Sequence, residues 1–270
     1  MPELPEVETA RRGIAPHIEG EKITAVVIRN RNLRWPISLD VDEQLPGAYV
    51  TTVERRAKYL LINTTNGTAI MHLGMSGHVH IVDTGTPAGV HDHVDIEFGC
   101  GKALRLTDPR RFGSLHWSDN PHEHALLKDL GPEPLSDQFN GQYLWSRSRG
   151  RRVAIKQFIM NAHIVVGVGN IYASESLFIA GIHPQRAAKR IALNRYERLA
   201  MTIKDVLESA IRAGGTTLRD FYGGDGEAGY FQQELQAYGR EGEHCRRCNS
   251  LITAIVQGQR STYYCKVCQT

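Results

Sequence analysis

The chain has 270 residues, 41% hydrophobic and 23% charged, a soluble globular profile with length for one to three domains and a real core. No apolar run approaches the roughly 20 residues that span a membrane. The acidic start Met1-Pro2-Glu3-Leu4-Pro5-Glu6 lacks the apolar centre of a secretion signal, so a cytoplasmic location is expected. Net charge is +3 but unevenly placed: residues 1–145 carry 14 basic and 19 acidic side chains (−5), residues 146–270 carry 18 and 10 (+8). The basic half suggests a polyanionic partner, nucleic acid first.

The pattern predicts a first helix over about 3–18. Pro5 fits a first turn, where a proline loses no helical hydrogen bond. Glu3, Glu6 and Glu8 suit the positive end of the helix dipole, while Gly13 weakens the middle. From about 22 to 117 short β-rich runs follow: Ile23–Ile28, Ala48–Val53, Tyr59–Ile62, Ala69–His72, His78–Val82, Val94–Phe98, Ala103–Leu106 and Ser114–Trp117. Turn residues separate them, and the spacing predicts an antiparallel sandwich or barrel. Residues 84–92 read as a loop, and Cys100 as a small, partly buried residue. Gly131-Pro132-Glu133-Pro134 marks a boundary. Beyond it the period becomes helical over about 139–147, 153–161, 170–180 and 194–213, the last carrying Leu199, Ile203, Val206, Leu207 and Ile211 on one stripe. Gly214-Gly215 ends that helix, and 222–229 reads as a mobile glycine-rich loop.

The tail carries Cys245-x2-Cys248-x16-Cys265-x2-Cys268. Each Cys-x2-Cys turn can place two thiolates about a tetrahedral Zn²⁺, so one structural zinc is expected. A cytosolic setting argues against disulfides. His244 could substitute for a thiolate, but four cysteines already fill the site. Leu251–Val256, a turn at 257–260 and Ser261–Tyr264 read as a hairpin held at its base by metal, with Arg260 at its tip. Read alone, Arg260 is a surface arginine.

At the other end stands Met1-Pro2-Glu3. A small second residue permits removal of Met1, which would leave the Pro2 secondary amine free. Such an amine can attack an aldehyde carbon and form a cationic iminium, an electron sink that favours β-elimination. Glu3 would be a proton donor or base beside it. The plainer reading is that both residues merely start a helix. In Gly167-Val168-Gly169-Asn170, a tight turn opens a helix whose N–H groups suit a phosphate, and Asn170 can cap it; an ordinary capped turn fits equally.

Met1–Thr9, Arg55–Leu60, His72–Gly77, Asp108–Gly113, Gly131–Leu135, Gly167–Pro184, Gly215–Leu218 and the cysteine hairpin with Gln259-Arg260 together resemble the formamidopyrimidine-DNA glycosylase family, in family order from residue 1 to 268. The resemblance implies an α+β fold: an N-terminal antiparallel β-sandwich with flanking helices (1–130), a helix–two-turns–helix region (131–235) and a zinc-finger β-hairpin (236–270). It implies a monomeric bacterial enzyme, cytoplasmic and nucleoid-associated, that binds damaged double-stranded DNA in a cleft, flips out an oxidised purine and excises it. No membrane or obligate protein partner is expected. The family's roles fall on Pro2 as nucleophile, Glu3 as acid/base in sugar-ring opening, Lys58 in β-elimination and Arg260 in δ-elimination. Met75, Arg110 and Phe112 would fill the hole left by the base, with Arg110 facing the orphaned cytosine. His91, Arg152 and Asn170 would contact DNA, and the four cysteines would hold zinc. Read alone, Met75 and Phe112 are packing residues and Lys58 a surface lysine. Arg152 and Arg219 stand where relatives often carry lysine. The nearest alternative is an endonuclease VIII-type glycosylase for oxidised pyrimidines; a further one is a non-catalytic nucleic-acid-binding protein with a zinc ribbon, which leaves Pro2-Glu3 unexplained.

Overall fold

A computed structural model describes residues 2–215 and 235–270. Arg219, Thr216-Thr217-Leu218 and the glycine-rich stretch 222–229 lie outside the described residues. The chain divides into two compact units: described residues 2–128 with 213–215, and 129–212 with 235–270.

The first unit opens with α1 (Leu4–Ile18). Glu3 is its N-cap, and a capping box joins it to Glu6: the Glu3 N–H donates to Glu6 Oε2 at 2.9 Å. The helix runs through Gly13 unbroken, because Val7, Ala10, Ile14 and Ile18 bury one continuous face, and that burial outweighs a glycine cost of about 1 kcal/mol. Then come β1 (Ile23–Ile28), a short α2 (Asp40–Gln44), β2 (Val50–Arg56), β3 (Tyr59–Thr64), β4 (Thr68–His72), β5 (His78–Asp83), β6 (Asp92–Phe98), β7 (Lys102–Thr107) and β8 (Ser114–Ser118). They form two four-stranded antiparallel sheets, ordered β1-β6-β7-β5 and β2-β3-β4-β8. Val50, Leu60, Ile62 and Met71 of one sheet share a buried core with Val79, Ile96, Leu104 and Leu106 of the other. The sandwich alternative is therefore the observed one, with α1 packed against strands of both sheets. Cys100 corrects the sequence reading: it is exposed, in the tight turn between β6 and β7.

The second unit contains α3 (Gly141–Ser148), α4 (Ile155–Ile159), α5 (Asn170–Ala180), α6 (Leu193–Arg212) and a hairpin of β9 (Ile252–Gln257) and β10 (Arg260–Cys265). Asn140 caps α3 by accepting the Tyr143 N–H at 2.9 Å. The residues read as a helix over 153–161 form only the short α4, because the chain before it pairs with a neighbour: Ala154 bridges Ala187, and the Ile155 N–H donates to the Arg186 carbonyl. Gly181 closes α5 in the left-handed conformation, at φ 71°. Three arginines from α6 and the cysteine module donate to carbonyls at that helix end: Arg195 to Gly181, Arg198 to Ile179, and Arg247 to Phe178 and Ile179. Inside α5, buried Glu175 accepts the backbone N–H groups of Gln236, Ala237 and Tyr238 at 2.7–2.9 Å, fixing the segment that leads to the cysteines. Burial pushes its carboxyl up despite these donors.

Candidate active site and nucleic-acid interface

In the first unit, Pro2 and Glu3 are buried at the start of α1. Gly215, at φ 81°, lies so close to this start that a Cβ there would sit 3.1 Å from Glu6 Oε1. The two residues are thus held by a helix N-terminus, the capping box and a close backbone approach.

Lys58 lies in the two-residue turn that joins β2 to β3, where Arg56 pairs with Tyr59. Ala57 precedes it with a left-handed φ of 57°. Across the next strand pair, Tyr59 faces His72, their ring centroids 4.8 Å apart. Burial first, then the positive charges of Lys58 and Arg34, push His72 down to about 4, so it is neutral near pH 7. In that form its Nδ1 accepts the Gly74 N–H at 3.0 Å.

Gly74 opens the loop bearing Met75. Its φ is 67°, and a Cβ there would fall inside the Phe112–Gly113 peptide, so only glycine lets the two loops meet backbone to backbone. A buried carboxylate joins them further. Asp108 Oδ1 accepts the Ser76 hydroxyl at 2.8 Å, and its Oδ2 accepts the Gly113 N–H at 2.7 Å. Met75 and Phe112 stand out from this junction, 38% and 42% exposed, which excludes the plain packing reading of both. The Arg110 guanidinium lies over the Phe112 ring at 4.8 Å. His91 is exposed and its carbonyl accepts the Asp108 N–H at 2.9 Å. Met75, Arg110, Phe112 and His91 are therefore brought together.

In the second unit, Asn170 corrects one expectation. Gly169 is the N-cap of α5, without a side-chain cap bond, and Asn170 is the first helical residue. Its amide turns instead to the hairpin, with Nδ2 donating to the Ser261 carbonyl at 3.0 Å. Lys156, which the sequence reading passed over, is 1% exposed and donates from Nζ to Asn170 Oδ1 at 2.6 Å, Thr262 Oγ1 at 2.7 Å and the Ser261 carbonyl at 3.2 Å. Its one sequence signal is a lysine set among Ile155, Phe158 and Ile159. Through Lys156 the start of α5 is tied to the strand that begins with Arg260. Arg260 itself is exposed, next to a type I′ turn with Gly258 at φ 57° and Gln259 at φ 60°. Arg152 is exposed on the segment leading into α4. It is not part of the Lys156 cluster.

The Sγ atoms of Cys245, Cys248, Cys265 and Cys268 lie within 4.8 Å of one another, with Cys245–Cys268 at 3.9 Å and Cys248–Cys265 at 3.5 Å. Four thiolates around zinc at about 2.3 Å would stand roughly 3.8 Å apart, so the set fits the ion. The Arg247 N–H donates to Cys245 Sγ and the Cys268 N–H to Cys265 Sγ, each at 3.4 Å, the backbone support expected around metal-bound thiolates. His244 is engaged elsewhere, its Nδ1 2.8 Å from the Asn249 carbonyl.

An antiparallel sandwich joined in sequence to a helical unit with a four-cysteine hairpin defines an α+β protein with a zinc-finger module, and comparison with known proteins narrows the class. Residues 1–115 match the formamidopyrimidine-DNA glycosylase N-terminal domain, residues 130–222 its H2TH domain, and residues 242–270 the zinc finger found in FPG and IleRS. Proteins named formamidopyrimidine-DNA glycosylase are similar throughout. One from Pseudomonas fluorescens Pf-5 is 59% identical over 270 residues, and one from Pseudomonas aeruginosa LESB58 is 60% identical over 269, each pair covered fully. Among solved structures, a Lactococcus lactis FPG mutant in complex with a Fapy-dG containing DNA superposes with a TM-score of 0.92 at 32% identity, covering 100% of both chains. MutM (FPG) from Thermus thermophilus gives 0.90 at 33%, covering 99% of this chain and 98% of that one. The chain belongs to the formamidopyrimidine-DNA glycosylase family. It carries one structural zinc on Cys245, Cys248, Cys265 and Cys268.

Proposed function

We propose that this base-excision-repair glycosylase removes oxidised purines, 8-oxoguanine and formamidopyrimidines, from duplex DNA as a cytoplasmic monomer and then cuts the strand. The similar Lactococcus lactis protein forms complexes with Fapy-dG containing DNA and with abasic-site containing DNA, which supports that substrate class. The three stretches 1–130, 131–235 and 236–270 supply catalysis, DNA grip and zinc-held grip. The carrying observation is the buried, capped start of α1, which gives Pro2 and Glu3 one fixed place.

With Met1 removed, the Pro2 nitrogen lone pair forms a bond to the sugar C1′ as the C1′–base bond breaks, and the base leaves with the proton that the Pro2 nitrogen gives up. Glu3 delivers the proton that opens the sugar ring, giving a cationic iminium. Loss of a proton from C2′ then expels the 3′ phosphate, with Lys58 serving this β-elimination. Arg260 serves the second elimination, which expels the 5′ phosphate. Met75, Arg110 and Phe112 fill the vacated stack and offset part of the few kcal/mol of unstacking. Asn170 and Arg152 hold phosphates, and His91 makes a further contact with DNA.

Borohydride should reduce the iminium and link enzyme to damaged DNA at Pro2, located by peptide mapping. Pro2→Gly, or a protein that retains Met1, should bind DNA but lose most of this trapping, because the nitrogen is then absent as a secondary amine or tied up as an amide. Full trapping by a Met1-retaining protein would place the nucleophile elsewhere, with Lys58 the first suspect. Preferential excision of oxidised pyrimidines would favour the endonuclease VIII-type alternative.

A further inference from the structure

Asp108 is fully buried, with its carboxylate out of reach of solvent. What it does touch is the frame of the void-filling group. Its Oδ1 accepts the Ser76 hydroxyl at 2.8 Å and the Arg110 N–H at 3.3 Å; its Oδ2 accepts the Gly113 N–H at 2.7 Å. Each partner is Arg110 itself or the residue next to Met75 or Phe112. The Asp108 main chain is fixed too, its N–H donating to the His91 carbonyl at 2.9 Å and its carbonyl 2.8 Å from His93 Nε2.

The backbone held in this way is not one the chain would keep unaided. Arg111 has φ 56°, costly for a residue with a Cβ. A Cβ at Gly113 would lie 2.8 Å from the His72 carbonyl. A loop forced into left-handed and crowded geometry needs an anchor that over-determines it, and a carboxylate with three donors is such an anchor.

We propose that Asp108 is a positioning residue: it sets the 73–77 and 108–113 loops before DNA binds, so that Met75, Arg110 and Phe112 enter the emptied stack as one piece and Arg110 meets the orphaned base in register. This rests on the void-filling reading above. Asp108→Asn keeps the shape but not the chemistry. In either amide orientation the NH₂ group faces a backbone N–H, that of Arg110 or that of Gly113.

The readout is the ratio of excision rates for 8-oxoguanine opposite cytosine and opposite adenine, with each protein normalised to its borohydride-trappable fraction. Arg110→Ala should lower the ratio about tenfold, the scale of one well-made base contact. Asp108→Asn should lower it about fivefold and Ser76→Ala about twofold, in the order of hydrogen bonds lost. A purely structural role would reduce both rates together and leave the ratio unmoved. If Arg110→Ala changes the ratio and Asp108→Asn does not, the positioning role is overturned while the void reading stands. If Arg110→Ala leaves it unchanged, that reading falls and this proposal with it. Should Asp108→Asn not fold, Ser76→Ala alone decides, and an unaltered ratio overturns the proposal.

Discussion

Two hairpin tips in this chain are built alike and supported differently. The β2–β3 turn sets Lys58 beside a left-handed Ala57; the β9–β10 turn sets Arg260 beside left-handed Gly258 and Gln259. The first tip extends from a four-stranded sheet over a large apolar core. The second belongs to a two-stranded hairpin whose buried cluster holds few residues, Phe178, Ala237, Ile252, Cys245 and Cys265, two of them metal ligands. A cation can thus be held either by packed hydrocarbon or by an ion and a buried lysine.

The sharpest way to break the parallel is through the metal. Cys248→Ser should cost the hairpin most of a binding energy on the order of 10 kcal/mol, so Arg260 and Asn170 lose their support and DNA affinity is lost. The thermal transition of the sandwich, and with it Lys58, should persist. A variant that lacks zinc by elemental analysis but still cuts damaged DNA normally would show that the metal does not position Arg260.

Acid should separate the tips by a smaller amount. His72 accepts the Gly74 N–H only when neutral, and burial with Lys58 and Arg34 lowers it from 6.5 to about 4. The unfolded chain takes up that proton first, so the contribution to stability is complete above about pH 6.5 and fades as pH falls towards 4. Between those limits the sandwich transition should drop by a few degrees, and amide exchange at Gly74 should quicken. His72→Asn should remove that part of the slope; an identical slope in the variant would exclude His72 as its source.

The smallest effects concern the turns. Gly258→Ala should destabilise the hairpin by about 1 kcal/mol, since the left-handed backbone disfavours a Cβ that would also sit 2.7 Å from Gln157 Nε2. Ala57→Gly relieves similar strain but frees the unfolded chain, so it should change stability by less than about 0.5 kcal/mol. Equal changes on denaturant unfolding would mean the two tips share one kind of support.

What the sequence reveals follows the range of the interactions. Strand β1 and the last helix are legible because their patterns repeat over neighbouring residues. The zinc site is legible because paired ligands with two residues between them impose their own spacing. Ser76–Asp108 and Lys156–Thr262 are bonds across 32 and 106 residues, and nothing near Asp108 or Lys156 in the sequence announces a partner. The short α4 looks longer in the sequence because its pairing with Ala187 is likewise remote. The site residues known only by resemblance, Met75 and Phe112 above all, look like core until the loops that expose them are seen.

The arginines at the end of α5 change how the charge of the C-terminal half is to be valued. That half carries a net +8, but Arg195, Arg198 and Arg247 turn their guanidinium groups onto the carbonyls of Phe178, Ile179 and Gly181. Arg149 and Arg240 do likewise with Ile191 and His244. Their charge persists at a distance, where it draws a polyanion in. At contact part of their five N–H donors is already taken by the protein's own dipoles. Attraction and grip are therefore divided unevenly: these five arginines steer as fully as any other, but each has fewer donors left to hold with.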